Sequence, residues 1–362
     1  MKQIKFLLLA AILPLFLLNS CNKDDDNNGS SNATKVAYIV NYGSYSGSKG
    51  DISTYDINTK TISQDSYKNA NALAFNSNIQ SMSIYNDLAY LMSNNGDKID
   101  IIDAKTLKQT INPISTNIVK PRYFAATGNT AYVSCWGDVS DWMALPESYI
   151  AKIDLATKAV TKIALPGGPE GVLIYNNKLY AALSAINKVA VIDLTSNAIS
   201  YIQVQAVPQH FVIDANNTIW VSLVSKYSTP FTAEKLGLAQ INPTNNTVIS
   251  TVKFTGMGAD GYIHISGDKK TIYAMGSEDY PGTASTIFKL DIATKTLSGT
   301  ALISGENFYG FNVNPETDQV YVLVSPDATK NGLLKIYDKT GLKMDEKATG
   351  ISPAHVVFYD IK

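Results

Sequence analysis

Cysteine, histidine and charge are all in short supply in this 362-residue chain. Cysteine occurs twice and histidine three times. A disulfide framework is therefore excluded within the body of the chain, where Cys135 stands alone. Lys plus Arg number 30 and Asp plus Glu 31, with no basic stripe, which argues against a nucleic-acid partner. Motifs with a chemical mechanism are missing too: no Gly-x-Ser-x-Gly elbow, no Cys-x-x-Cys, no His-Glu-x-x-His, no phosphate-binding glycine loop and no Asp-x-Asp-x-Asp-Gly calcium loop. No catalytic residue, metal ligand or cofactor is assigned on such grounds. The apolar run from Phe6 to Leu18 is thirteen residues, short of the roughly 20 that a spanning helix needs.

What the chain does have is a repeat. The pattern apolar-Asp-x-x-Thr recurs as Tyr55-Asp56-Ile-Asn-Thr59, Ile102-Asp103-Ala-Lys-Thr106, Ile153-Asp154-Leu-Ala-Thr157, Ile192-Asp193-Leu-Thr-Ser196, Ile241-Asn242-Pro-Thr-Asn245, Leu290-Asp291-Ile-Ala-Thr294 and a shortened Tyr337-Asp338-Lys-Thr340. The six steps from 56 to 338 average 47 residues, the period of a four-stranded propeller blade. Within a period, Gly171–Tyr175, Lys178–Ala182, Lys188–Ile192 and Ala198–Ile202 are short runs rich in β-branched and aromatic residues, separated by turn residues. Each repeated Asp reads as an Asx-turn acceptor that closes the hairpin between the third and fourth strands, not as a catalytic carboxylate. Residues 34–362 hold seven such periods, which predicts an all-β, seven-bladed β-propeller.

The ends of this domain predict its closure. Ile351–Tyr359 matches a first strand, and Val36–Val40 matches a second strand with no first strand before it. The N- and C-terminal strands should therefore close one shared blade and leave no open edge.

Before the domain, Lys2 and Lys5 precede the apolar run, which reads as a signal-peptide core. It ends in Leu18-Asn19-Ser20-Cys21, and here the chain resembles bacterial lipoprotein precursors, which are cut before a lipidated cysteine. Residues 1–20 are then the signal peptide, and Cys21 the lipid attachment point. The following Asn22-Lys23-Asp24-Asp25-Asp26 resembles the export signal of Bacteroidetes lipoproteins. That resemblance implies an outer-membrane protein facing the cell exterior, held to the membrane by its lipid. Residues 21–33, acidic and then Asn/Ser-rich, are expected to form a disordered tether.

Candidate site residues come from the blade pattern. Pro121-Arg-Tyr, Pro169-Glu-Gly, Pro208-Gln-His and Pro353-Ala-His occupy the same place, where the innermost strand of a blade begins. Such positions ring the mouth of the central channel, so Arg122, Glu170, Gln209, His210, Tyr262, Tyr309 and His355 are expected to form a polar and aromatic funnel. His264 falls inside a strand and reads as a packed or hydrogen-bonded residue. His210 and His355 lie in different blades with no third ligand spaced for them, so they are not assigned to a metal. Glu170 and His210, in adjacent blades, are an open acid–base alternative.

Long excursions between second and third strands add aromatics on the same side: Tyr42 and Tyr45, Trp136 and Trp142, Tyr227 and Phe231, and Tyr280. Hairpins of about two to five residues would suffice for the fold, so the extra length points to ligand binding. With 21 Tyr and few charged residues, the surface is expected to be rich in Asn, Ser, Thr and Tyr, which suits a neutral ligand.

From Val36 to Phe358 the pattern, with Pro-x-x-Val-Leu-Ile in a first strand and Val-Ile-Asp-Leu-Thr in a third, resembles YncE-like or surface-layer-type seven-bladed propellers. Together with the lipobox it is similar to Bacteroidetes surface lipoproteins, some of which capture cobalamin for a TonB-dependent transporter. That resemblance implies a non-enzymatic capture protein, with a corrinoid the favoured ligand. A glycan-binding lipoprotein is the first alternative, and a propeller lyase or hydrolase the second.

Overall fold

The computed structural model describes residues 34–361, apart from 45–46, 48, 225–236, 254–260 and 277–283. The expected signal peptide, Cys21 and the expected tether lie outside the described residues, as do Tyr45, Tyr227, Phe231 and Tyr280.

Seven antiparallel sheets form the propeller, each a hairpin meander of the kind that the turn repeat predicts. The closing sheet is ordered Pro353–Ile361, Thr34–Asn41, Asp51–Asp56, Thr61–Ser63. Its C-terminal strand pairs along the whole of Thr34–Asn41, from Thr34 opposite Ile361 to Asn41 opposite Pro353. The shared blade is thus formed as expected. One sheet departs from four strands: the outer edge of Ala284–Asp291 is covered by two short pieces, Thr296–Leu297 and Ile303–Glu306.

The repeated Asp behaves as its spacing requires. Backbone N–H groups two or three residues on donate to the side-chain oxygen at 56, 103, 154, 193, 242, 291 and 338. Hydrogen bonds from the Thr or Ser of each turn hold the carboxyls of Asp103, Asp154, Asp193, Asp291 and Asp338 below the usual carboxylate range.

The core is divided among the spaces between blades, because successive side chains of a strand point to opposite faces. In Thr34–Asn41, Tyr38 joins a cluster with Leu91 and Ile102 of the next blade, while Ile39 joins one with Tyr321 and Leu334 of the previous blade. The second strand of every blade carries a buried aromatic: Tyr38, Tyr90, Tyr132, Tyr180, Trp220, Tyr273 and Tyr321. At about 25 cal/mol per Å² and 150–250 Å² per ring, each contributes on the order of 4–6 kcal/mol of transfer free energy at most. Six of the 21 Tyr are thus the repeated wedge between blades and do not contribute to the Tyr-bearing surface that composition leads one to expect. Some of their hydroxyls reach across to a neighbouring blade. Tyr38 donates to the Ala104 carbonyl at 2.6 Å and Tyr180 to Asn246 Oδ1 at 2.9 Å.

A single helical turn, Ser66–Asn71, has no counterpart in the repeat and packs Tyr67 edge-on against Phe75, with ring centroids 5.0 Å apart. No helix among the described residues is long and apolar enough to cross a membrane.

Candidate functional site

In five blades the innermost strand does not run straight into the channel mouth. Their pairing slips between Pro121 and Phe124, Pro169 and Val172, Pro208 and Phe211, and Phe308 and Gly310, and again opposite Val40 and Asn41. Each slip is a β-bulge, which frees a residue or two from the ladder and turns their side chains. Arg122, Glu170, Gln209, His210, Tyr309 and the Ala354–His355 pair sit at these bulges. In two blades a second-strand serine fastens the bulge by accepting its N–H: Tyr123 donates to Ser134 Oγ and His210 to Ser222 Oγ, both at 3.0 Å. Neighbouring inner strands also touch here. A Cβ at Gly171 would collide with the Gln209 carbonyl oxygen, and one at Gly310 with that of Ala354.

The bulges converge on a cavity of about 550 Å³. All seven residues expected in the funnel line it, as do Tyr42, Trp136 and Trp142 from the loops. Sequence reasoning missed Gln80, Tyr123, Met143, Leu145 and Ser184, which also line it. Tyr123 stands in the quoted Pro-Arg-Tyr and could have been found there. Gln80 stands just before the first strand of a blade that offers neither Pro-x-x nor, as at Tyr262 and Tyr309, an aromatic at that place.

Arg122 and Glu170 form the centre of the cavity wall. Arg122 Nε donates to both Glu170 carboxylate oxygens at 2.9 and 3.2 Å, Nη2 donates to Oε1 at 2.6 Å, and Nη1 donates to Gln80 Oε1 at 2.6 Å. Burial opposes the guanidinium charge, but Glu170 outweighs it and holds the Arg122 pKa above its ordinary value. The guanidinium carbon of Arg122 lies 4.1 Å from the centre of the Trp136 ring, and Trp136 meets Trp142 edge-on at 6.0 Å. Trp142 is 57% exposed at the rim. Both Glu170 oxygens are engaged by Arg122, so the acid–base alternative with His210 would have to act against that ion pair.

Below the pair, four rings close the channel. His210 stacks on Tyr262 at 4.8 Å, Tyr123 meets His210 and His355 edge-on at 5.1 and 5.9 Å, and Tyr262 meets His355 at 5.6 Å. Tyr123 and His355 also line a second cavity, of about 660 Å³, on the far side of this layer, together with His264. His264 is packed as expected, edge-on to Phe311 at 4.8 Å, and burial lowers its pKa to about 3. Burial and the nearby Arg122 charge take His355 down to about 4, against a hydrogen bond to the Gln80 backbone. His355 is therefore neutral near pH 7. Its Nε2 and the indole Nε1 of Trp136 are both buried without a hydrogen-bond partner.

The fold has many relatives among solved structures. A quinoprotein alcohol dehydrogenase-like protein from Bacteroides thetaiotaomicron superposes with a TM-score of 0.68 at 17% identity, over 90% of this chain and 78% of that one. The periplasmic gluconolactonase of Pseudomonas aeruginosa gives 0.66 at 14%, over 90% and 100%. A candidate 6-phosphogluconolactonase from Bacteroides fragilis gives 0.65 at 15%, over 91% and 99%. At such identities the likeness establishes the fold. It also overturns the expectation of a non-enzyme, because propellers bearing lactonase names share this architecture over nearly their whole length. A search of curated proteins finds no match. The family is clear: residues 35–358 match the model described as "Domain of unknown function (DUF5074)", and the chain belongs to that family.

Proposed function

We propose that the channel mouth captures a bulky neutral ligand, a corrinoid being the leading candidate, at the cell exterior on a lipid anchor at Cys21, for delivery to a TonB-dependent transporter. The observation that carries the ligand class is the Arg122–Glu170 pair. It offers polarity without net charge beneath Trp136, while Trp142 stands half in solvent above it. A corrin disc with apolar edges and amide arms suits indole faces and neutral donors better than a phosphate would. The cavity of about 550 Å³ falls in the range of small-molecule sites, so a ligand as wide as a corrin would enter in part and leave its remainder for a partner. A glycan stacking on the same indoles competes for this reading. Tryptophan quenching against cyanocobalamin, cobinamide and a panel of oligosaccharides is the test. Quenching by corrinoids alone supports the proposal, quenching by sugars alone replaces the ligand, and quenching by neither refutes it.

Hydrolysis in the same funnel is a second reading, favoured by the lactonase-named neighbours and by the neutral, unpartnered His355 Nε2, which could accept a proton from water. Turnover of a sugar lactone that disappears in His355→Phe would support it. Absence of lactone turnover at any pH between about 5 and 9, the span in which a neutral His can act as a base, would count against it.

A further inference from the structure

The layer of Tyr123, His210, Tyr262 and His355 rings parts the channel into two chambers of unlike chemistry. The funnel above it carries the Arg122–Glu170 pair. Below it, the chamber of about 660 Å³ is lined by no Asp, Glu, Lys or Arg among the described residues. Its two histidines, His264 and His355, are uncharged near pH 7 because burial disfavours the charged ring.

Most polar side chains on this wall are already bonded within the protein. Ser81 donates to the Arg122 carbonyl at 2.5 Å and Tyr85 to that of Gly128 at 2.9 Å. Asn312 donates to the Val356 carbonyl and accepts from the Val313 N–H, both at 2.8 Å. Much of the remaining wall is apolar and open to the chamber: Ile84, Val212, Ile265, Val357 and Phe358, brought together from four inner strands by closure of the ring, are each only half-buried. An apolar occupant that takes these side chains out of water gains the hydrophobic free energy they have not realised. A charged occupant would shed its hydration against a wall that holds no counter-charge. Each inner strand is also the inner edge of its sheet, so backbone N–H and C=O groups can serve a neutral substituent.

Depth sets the shape of the occupant. From the ring layer the wall strands run from Tyr123 to Ala126 and from His355 to Phe358, about 10 Å at the rise of a strand. A volume of about 660 Å³ over that depth is about as wide as it is deep, which suits a compact ring system better than a single extended chain.

We propose that this lower chamber is a second binding site, separate from the funnel, for an uncharged compact ring compound, aromatic or alicyclic. The site is independent of the capture reading, which concerns the funnel above the ring layer.

Fluorescence titration of the purified mature protein carrying Cys21→Ala, so that neither lipid nor detergent competes, compares N-phenylnaphthylamine with its sulfonated counterpart anilinonaphthalenesulfonate. The uncharged probe should bind saturably, and the sulfonate about tenfold or more weakly. Ala126→Phe, which fills the chamber from its wall, should weaken the uncharged probe by about tenfold or more. Val212→Thr combined with Val357→Thr keeps the shape and makes the wall polar, so it should weaken the probe by about fivefold and decides the matter if Ala126→Phe does not fold. Trp142→Ala, above the ring layer, should leave the affinity unchanged. Absence of saturable binding, equal affinity for the sulfonate, wild-type affinity in the folded chamber variants, or a loss in Trp142→Ala equal to theirs would each overturn the proposal.

Discussion

The outer turns of this propeller recur in all seven blades and the inner bulges in five, but they repeat different things. At the outer turns the chemistry is constant: Asp or Asn accepts N–H bonds from residues two or three further on in all seven blades. At the inner bulges the geometry recurs while the side chains change, from Arg122 to Glu170, to Gln209 and His210, to Tyr309, to His355. A position with the same local task in every repeat keeps the same residue. A position where the backbone only presents a side chain to the channel is free to differ from blade to blade, and there the ring becomes asymmetric. The difference locates the site without any motif.

The comparison can be broken most severely at the seam. Deleting Pro353–Lys362 removes one inner strand, its bulge and His355 together, and leaves Thr34–Asn41 with an unpaired edge. We expect loss of cooperative unfolding, read by calorimetry. A truncated protein that melts like the full chain would show that the seam contributes nothing.

Next in size is the Arg122–Glu170 pair. Arg122→Met leaves a carboxylate that is only 6% exposed without its partner, which costs about 3 kcal/mol in denaturant unfolding. Adding Glu170→Met should recover most of that loss, because burying an apolar pair avoids the stranded charge. If the double variant is as unstable as the single one, the pair holds the bulges in place and is more than a neutral lining.

Acid provides a smaller perturbation, felt at two histidines that line the channel cavities. His264 and His355 have folded pKa values of about 3 and about 4, below the ordinary 6.5, because burial disfavours their charged forms. The unfolded chain therefore takes up these protons first. The contribution of both to stability is complete above about pH 6.5 and is lost as pH falls from there toward about 4 for His355 and about 3 for His264. The turn carboxylates, with lowered pKa values, give way only at more acidic pH. His355→Phe should flatten the melting-temperature profile between about pH 6.5 and 4. An unaltered profile would mean that the ring is not desolvated.

How much of this was legible follows from the same contrast. The Asx turns and the shared blade could be read because a local task repeated seven times leaves a pattern in the chain. Second-strand aromatics repeat as faithfully, yet composition alone does not separate Tyr38, Tyr90 and the rest from surface tyrosines, since it counts tyrosines without saying which way they point. Pro-x-x marked Arg122, Glu170, Gln209, His210 and His355, an aromatic at the same place marked Tyr262 and Tyr309, and Gln80 was lost where its blade offers neither. The pairing of Arg122 with Glu170 was invisible because the two stand 48 residues apart and meet only when bulges in adjacent blades face each other.

The smallest effect on stability should come from Trp142, and it sharpens the comparison most. This ring is 57% exposed on the loop above the funnel, outside the clusters between blades, and its described ring contact is the edge-on meeting with Trp136. Trp142→Ala should therefore leave the melting temperature nearly unchanged. If the funnel holds the ligand, the same substitution removes an aromatic anchor at the rim and should weaken binding by roughly 2 kcal/mol, about thirtyfold in Kd. Tyr201 is a matched control, 49% exposed on the outer strand of a neighbouring blade and away from the channel. Tyr201→Ala should alter neither melting nor binding. Equal effects of the two substitutions on binding would mean that exposed aromatic surface, and not its place above the bulges, attracts the ligand.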